Sequence, residues 1–372
     1  MKKKIAIFTT TRGDMAILTP LIKKLKKEKK IKTYFFVGGT HNSKDYGNTI
    51  KEIKNLNIKV DGFFNNKSLA MQDNSYSLSK ILSQDQIKLA NIFKNYDFDY
   101  VCLIGDRYEK MAVAMNGILF KKKIAHIHGG EITLGSFDNQ IRNMFSQASD
   151  LHFVICEEYK KNLISMGINK NNIFNIGSLA VENLSNTKPV SRSYISKKCG
   201  LNEKKNFCIL NYHPPSLDIK IEFEDQIKNI FKALKDLDLQ ILITSPGLDT
   251  GRKSIMKIIS NLKKIRKDII IKKSLGFKNY FNLIPFSEFI IGNSSSGIIE
   301  VPFFKKPTID IGRRQFGRFK HPSVINCDYK VSSIRKAVKK GSSQKFKKKI
   351  KKMKYLFQNG IATKKFITAL KR

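Results

Sequence analysis

The sequence predicts an α/β protein of two Rossmann-like, doubly wound domains, and three observations carry that reading. The chain has 372 residues, too long for one ordinary core and suited to two domains of roughly 150 to 200 residues each. Short apolar runs alternate with stretches of helical spacing, the pattern of parallel strands covered by helices. The alternation lapses over the polar, basic residues 184–205 and then restarts. The expected organisation is a first domain over 1–183, a linker over 184–205, a second domain over 206–355 and a C-terminal helix over 356–372.

In the first half, the apolar run 4–10 leads into Thr-Thr-Arg-Gly-Asp, and Met15, Leu18, Leu21, Ile22 and Leu25 follow at helical spacing. This is strand, loop, helix, with Arg12 in the loop and Asp14 near the helix N-terminus, where the macrodipole favours a carboxylate. The strand over 32–37 ends in Gly-Gly-Thr-His, which puts His41 at a strand end. Residues 42–75 are polar and Asn-rich with a short apolar insertion at 60–64, and read as a weakly ordered excursion. A helix over 77–94 then feeds a β-α-β unit: runs 101–104 and 124–127, with Met111, Ala114, Ile118 and Leu119 between them. Asp106, Arg107, Glu109, His126, His128, Glu131 and Asp138 gather at the ends of those two strands. Ligands of open parallel sheets sit beyond the carboxyl ends of the strands, so acids, imidazoles and an Arg collected there mark a reaction centre. A helix over 141–148 carrying Arg142, a strand over 151–155, a helix over 158–166 and a strand over 172–176 complete the first domain.

The second half restarts with Phe207–Asn211 and Tyr-His-Pro-Pro, whose prolines forbid continuation of the strand and fix His213 at its end. Gln240–Thr244, a basic helix over 252–265 and a strand over 269–271 follow. A strand over 289–291 then meets a Gly/Ser loop over 292–297 and the start of a helix over 298–303. Such a turn presents backbone N–H groups, hydroxyls and a helix N-terminus, a seat for phosphate. Arg313, Arg314 and Arg318 lie just after the strand Thr308–Ile311, and together these features suit a diphosphate. The tail over 336–372 reads as helical and Lys-rich, with an apolar face that includes Phe357, Phe366 and Leu370. His152 reads as a core histidine, His321 as a turn residue, and Lys305 and Lys306 as solvated loop charges.

A net charge of +40 invites a nucleic-acid reading. The positive residues are mostly Lys spread over helix faces, and no zinc knuckle, helix-turn-helix or RNA-recognition signature is present, so the excess reads as a solvated surface with no specific nucleic-acid partner. Arg is scarce, yet Arg12, Arg107, Arg142, Arg313, Arg314 and Arg318 lie in or beside the loops just described. A rigid, permanently charged fork there points to a small anionic ligand. The longest apolar runs fall far short of the roughly 20 residues of a membrane span, and the opening MKKKIAIFTTTRGD reads as a first strand rather than a signal peptide. Five cysteines without a CxxC pair favour reduced thiols and a cytoplasmic protein over a disulfide frame or a metal site.

In combination and order, TTRGD at 10–14, GDRYE at 105–109, HIHGGE at 126–131, the segment 138–142, HPP at 213–215, GNSSSGIIE at 292–300 and GRRQFGR at 312–318 resemble the hydrolysing UDP-N-acetylglucosamine 2-epimerases over nearly the whole chain. The resemblance implies a GT-B-type architecture with the active site in the interdomain cleft, a homo-oligomer (dimer or tetramer), and no metal or redox cofactor. The implied reaction turns UDP-N-acetylglucosamine and water into N-acetylmannosamine and UDP, by elimination of UDP and hydration of the glycal, for sialic-type nonulosonic acids. Carried over residue by residue, it places Arg12, Arg107, Ser294, Ser295, Glu300 and Arg314 around the UDP, with His213 beside the diphosphate and Glu300 on the ribose. Asp14, Asp106 and Asp138 fall on the family's essential acids, with Arg142 next to them, and Asp106 and Asp138 are the acid/base candidates.

The chain departs from the family at three positions. His128 stands where many sialic-acid-pathway members have a catalytic Glu, Asn143 where a His usually follows the Arg, and Gly247 where the 245–249 loop usually has an Asn. His128 or Glu131 could take over the missing role, or the sugar could be N,N'-diacetylbacillosamine linked to GDP or UDP, as in relatives resembling the legionaminic-acid enzymes. A GT-B glycosyltransferase would share the architecture and the phosphate loop, but has no need of the GDRYE and HGGE acids together. A basic nucleic-acid-binding protein rests on charge alone.

Overall fold

The computed structural model describes residues 2–64, 74–218, 221–247, 249–357 and 360–371; most of the second half of the Asn-rich excursion, residues 65–73, lies outside them. The described chain divides by its contacts into two compact units. The first comprises Met1–Glu131, Asp138–Asn186 and Phe357–Arg372, the second Ile132–Phe137 and Thr187–Leu356.

The first unit is built on β1 (Lys3–Thr9), β2 (Ile31–Val37), β3 (Gly62–Phe63), β4 (Tyr100–Ile104), β5 (Lys123–Ile127), β6 (Leu151–Val154) and β7 (Ile173–Asn175). Their order is β3-β2-β1-β4-β5-β6-β7 and every described pairing is parallel, so the order reverses between β1 and β4. That reversal leaves a crevice beyond the carboxyl ends of β1 and β4. Strands covered on both faces must be apolar on both, which is why Ile5, Ile7, Phe8, Val101 and Leu103 are all buried. Phe8 stacks on Phe36 at 5.0 Å and on Phe93 of the helix Ser75–Asn95 at 5.8 Å.

The helix Arg12–Leu25 opens with Thr11 as N-cap and Asp14 completing a capping box. It carries Pro20, which has no N–H for the carbonyl of Ala16. The side-chain amide of Asn183 donates to that carbonyl at 2.8 Å, so the group removed from the helix ladder is not orphaned. Residues 357–371 return to this unit. Thr363 donates its N–H to Glu182 at 2.8 Å, Lys3 Nζ reaches the carbonyl of Leu370 at 2.8 Å, and Phe366 lies 4.2 Å from Phe153.

The second unit is built on β8 (Phe207–Asn211), β9 (Gln240–Thr244), β10 (Ile269–Lys272), β11 (Ile290–Gly292), β12 (Thr308–Ile311) and β13 (Val324–Cys327), in the order β10-β9-β8-β11-β12-β13. All pairings are again parallel, and the reversal falls between β8 and β11. Leu210, Ile227, Ile241, Ile291, Ile309 and Ile334 are part of its core.

Several expectations need correction. The expected linker contains a helix, Arg192–Cys199, capped by Ser191, closed by Gly200 at φ +78° and anchored by buried Ile195 and Cys199. The helix expected over 298–303 is a single turn, Ser296–Ile299, followed by a 3-10 turn Val301–Phe304, because Pro302 cannot donate to an α ladder. The tail is three helices, Val331–Ser342, Gln344–Lys351 and Ala362–Lys371. His321 does open a turn, its carbonyl accepting from the N–H of Val324 at 3.0 Å, but its ring is no exposed loop group: it is buried, stacks on Tyr355 at 4.8 Å, accepts at Nε2 from the N–H of Leu356 at 2.9 Å, and burial pushes its pKa down to about 4. Lys306 is part-buried and donates to the carbonyl of Ser287 at 2.8 Å.

Candidate active site

At the switch point of the first sheet, the loop after β1 wraps its hydrogen-bond donors around Asp14. One carboxylate oxygen accepts from the N–H of Thr10 at 2.8 Å and of Thr11 at 3.0 Å, and the other from Lys110 Nζ at 2.9 Å. Burial would raise this carboxyl, but Lys110 and the two N–H groups outweigh it and hold Asp14 below its ordinary pKa. Lys110 is itself fully buried, so the pair ties the GDRYEK loop to the TTRGD loop. His41 is a buried bridge between the hydroxyls of Thr9 and Thr49, both at 2.8 Å, and burial pushes its pKa down to about 4.

Beyond β4, Arg107 grips Glu109 with two nitrogens at 3.1 Å each, and Asp106 is ion-paired with Nη2 of Arg142. Arg142 is buried and donates a second bond, from Nη1 to the carbonyl of Glu131 at 2.6 Å. The Glu131 carboxylate meets His128 Nδ1 at 2.5 Å. Asp106, Arg142, Glu131 and His128 thus form one chain of contacts joining the ends of β4 and β5 with the helix Asp138–Gln147. Asp138, also buried, is the first residue of that helix. His128 stands at φ +69°, an uncommon conformation for a side chain with a Cβ. Its backbone N–H is held by the carbonyl of Phe153 at 2.9 Å, and its buried Nε2 has no hydrogen-bond partner among the described residues. His126 is different: Nε2 bonds the carbonyl of Gly105 at 2.7 Å, Nδ1 meets the hydroxyl of Ser146 at 3.2 Å, and burial pushes its pKa to about 3. It is a neutral strut.

In the second unit, His213 follows β8 and its Nδ1 meets Asp249 Oδ2 at 3.0 Å. Ser294, Ser295 and Glu300 lie on the loop and single turn after β11, with the Ser294 hydroxyl 3.4 Å from the N–H of Ser296 and Ser295 as N-cap. Arg314 follows β12 and donates to the carbonyl of Asn293 at 3.0 Å. Arg12, on the other unit, opens the helix after β1. The sequence reading passed over Lys110, Asp249, Asn293 and Gln315. Lys110 and Asn293 each adjoin a motif residue that it had singled out. Among the described residues, no group of three or more His, Cys, Asp or Glu side chains could hold a metal ion, and no helix is long and apolar enough to cross a membrane.

Two parallel sheets, one with acids and a buried Arg at its switch point and one with an Arg, a His and a Ser loop there, define an α/β protein of two Rossmann-like units, the GT-B-type class. The family described as UDP-N-acetylglucosamine 2-epimerase matches residues 23–371. The chain is 33% identical over 351 residues to the Campylobacter jejuni GDP/UDP-N,N'-diacetylbacillosamine 2-epimerase (hydrolyzing), covering 93% of this chain and 89% of that one. It is 30% identical over 342 residues to a UDP-N-acetylglucosamine 2-epimerase of Neisseria meningitidis, covering 92% and 88%. Its fold matches the crystal structure of UDP-GlcNAc 2-epimerase from Neisseria meningitidis bound to UDP-GlcNAc with TM-score 0.82 over all of both chains, at 18% identity. The chain belongs to the hydrolysing UDP-N-acetylglucosamine 2-epimerase family.

Proposed function

We propose that the protein converts UDP-N-acetylglucosamine and water to N-acetylmannosamine and UDP, supplying sialic-type nonulosonic acid synthesis in the cytoplasm. The reading is carried by the contact chain Asp106–Arg142–Glu131–His128, which gathers acid, base and fixed positive charge at one switch point. A carboxylate, Asp106 or Asp138, takes the C2 proton while the C1–O bond breaks, a C1–C2 double bond forms and UDP leaves. His213, Arg314, Ser294 and Ser295 receive the departing diphosphate, Arg12 and Arg107 add positive charge, and Glu300 takes the ribose hydroxyls. Water then adds its oxygen at C1, and a proton returns to C2 on the opposite face.

For that second stage the dyad is suited to proton exchange. With Nδ1–H donated to Glu131, the remaining ring nitrogen of His128 is the one able to take or give a proton. His128 then fills the role of the Glu that other family members carry. Asp14 serves by holding the Arg12 loop in place through its bonds to Thr10, Thr11 and Lys110.

A second reading, an N,N'-diacetylbacillosamine linked to GDP or UDP as substrate, is supported by His128 and by the similarity to the enzyme named for that sugar. We also propose a homo-oligomer, because Met115, Ile118 and Leu119 leave an apolar face of the helix Met111–Leu119 exposed. A proton NMR time course in D2O with each nucleotide-sugar tests the reaction. The expected result is N-acetylmannosamine with deuterium at C2, abolished by Asp106→Asn. Turnover of the diacetylbacillosamine derivative alone would move the protein to the second reading, and turnover of neither would sink the assigned reaction.

A further inference from the structure

Asn293 is the first residue after β11, and β11 lies between β8 and β12 in the second sheet. Gly292 takes φ +136°, and a Cβ there would come within 2.1 Å of the carbonyl oxygen of Asn211, so only glycine lets the end of β11 press against the end of β8. The N–H of Asn293 consequently reaches the carbonyl of Asn211 at 3.1 Å. Its side-chain amide then bonds the backbone of His213 twice: Oδ1 accepts the His213 N–H and Nδ2 donates to the His213 carbonyl, both at 2.8 Å. Pro214 and Pro215 have no N–H to give, so a side chain supplies the pairing that the sheet cannot extend to this loop. The carbonyl of Asn293 accepts from Arg314 Nη1 at 3.0 Å and from Gln315 Nε2 at 2.9 Å. One buried residue thus bonds all three loops at this sheet's switch point, and it makes every one of these bonds with almost no exposure to water.

We infer that Asn293 is a positioning residue for the diphosphate: it holds His213 and Arg314 in one register, so that both meet the same anion. The inference rests on the nucleotide reading given above. A guanidinium with one nitrogen tied loses most of the freedom of its long stem, and an imidazole whose backbone is clamped on both sides cannot drift with its loop. Both groups are then set before the ligand arrives, which reduces the ordering cost of binding.

The test measures UDP affinity by titration calorimetry in wild type, Asn293→Ala and Asn293→Ser, with thermal melts to establish that each variant is folded. The expected result is an affinity loss of about tenfold or more in the folded variants. In a His213→Ala background the same change should cost about threefold or less, because the Asn293 side chain bonds His213 alone, the carbonyl that Arg314 uses being kept in every variant, and the imidazole it positions is already gone. Unchanged UDP affinity in a folded variant, or a full tenfold loss in both backgrounds, overturns the inference while leaving the nucleotide reading intact. Should Asn293→Ala fail to fold, the cycle with Asn293→Ser decides. Wild-type protein that binds no UDP overturns both.

Discussion

Lys110 and His128 are two residues whose neighbours change their meaning. In a chain that carries lysines over most of its helices, Lys110 reads as one more solvated charge, yet it is fully buried against Asp14. Nothing in composition distinguishes it, because only the tertiary closeness of the β1 and β4 loops makes the pair. His213 and Arg314 were easier to single out, since a Pro-Pro pair fixes one and the scarcity of Arg marks the other. His128 was visible as a strand-end imidazole, but its bond to Glu131, three residues on, depends on a left-handed backbone that the sequence does not announce. If His128 exchanges protons during hydration of the glycal, His128→Ala should lower turnover by about 10²- to 10⁴-fold. UDP release should then run ahead of N-acetylmannosamine, with the glycal visible by NMR. Equal slowing of both products would remove His128 from that step.

At the level of elements, the strands were legible because parallel strands buried on both faces read as short unbroken apolar runs. The exceptions follow from the same rule. β3 has only two residues, and β13 alternates exposed Asn326 with buried Ile325, so neither forms a run. The helix Ser75–Asn95 was equally plain from its spacing, but it buries Asp85, whose Oδ1 has no partner among the described residues. Burial, with Lys88 opposing it and the buried Glu109 adding to it, raises Asp85 to about 7 from 3.8. The folded state therefore holds a proton that the unfolded state releases above pH 4, and stability is lost as pH rises from about 4 to 7. Asp85→Asn removes that loss. Its melting temperature should exceed that of wild type by on the order of 5 °C at pH 8, with a smaller gain at pH 5. A gain independent of pH would contradict the assignment.

For the molecule as a whole, the two-fold repetition of a parallel sheet was readable from the lapse and restart of the pattern, whereas the exact division was not. Residues 132–137 belong to the second unit because Leu134 donates its N–H to the carbonyl of Phe316 at 3.0 Å and Phe137 to the Ser216 hydroxyl at 2.9 Å. Such pairings join positions far apart in sequence, beyond the reach of local pattern. The exposed Met115, Ile118 and Leu119 bear on assembly. Sedimentation should give a multiple of the chain mass for wild type and the single-chain mass for Ile118→Glu/Leu119→Glu; a monomeric wild type would refute the homo-oligomer. The return of residues 357–371 to the first unit has a further consequence for the order of assembly. During synthesis the first unit leaves the ribosome early, yet Glu182, Phe153 and Lys3 must wait for Thr363, Phe366 and Leu370. The half of the protein that is begun first must wait for a segment made after the whole second unit, and until Thr363, Phe366 and Leu370 emerge its flank stays uncovered.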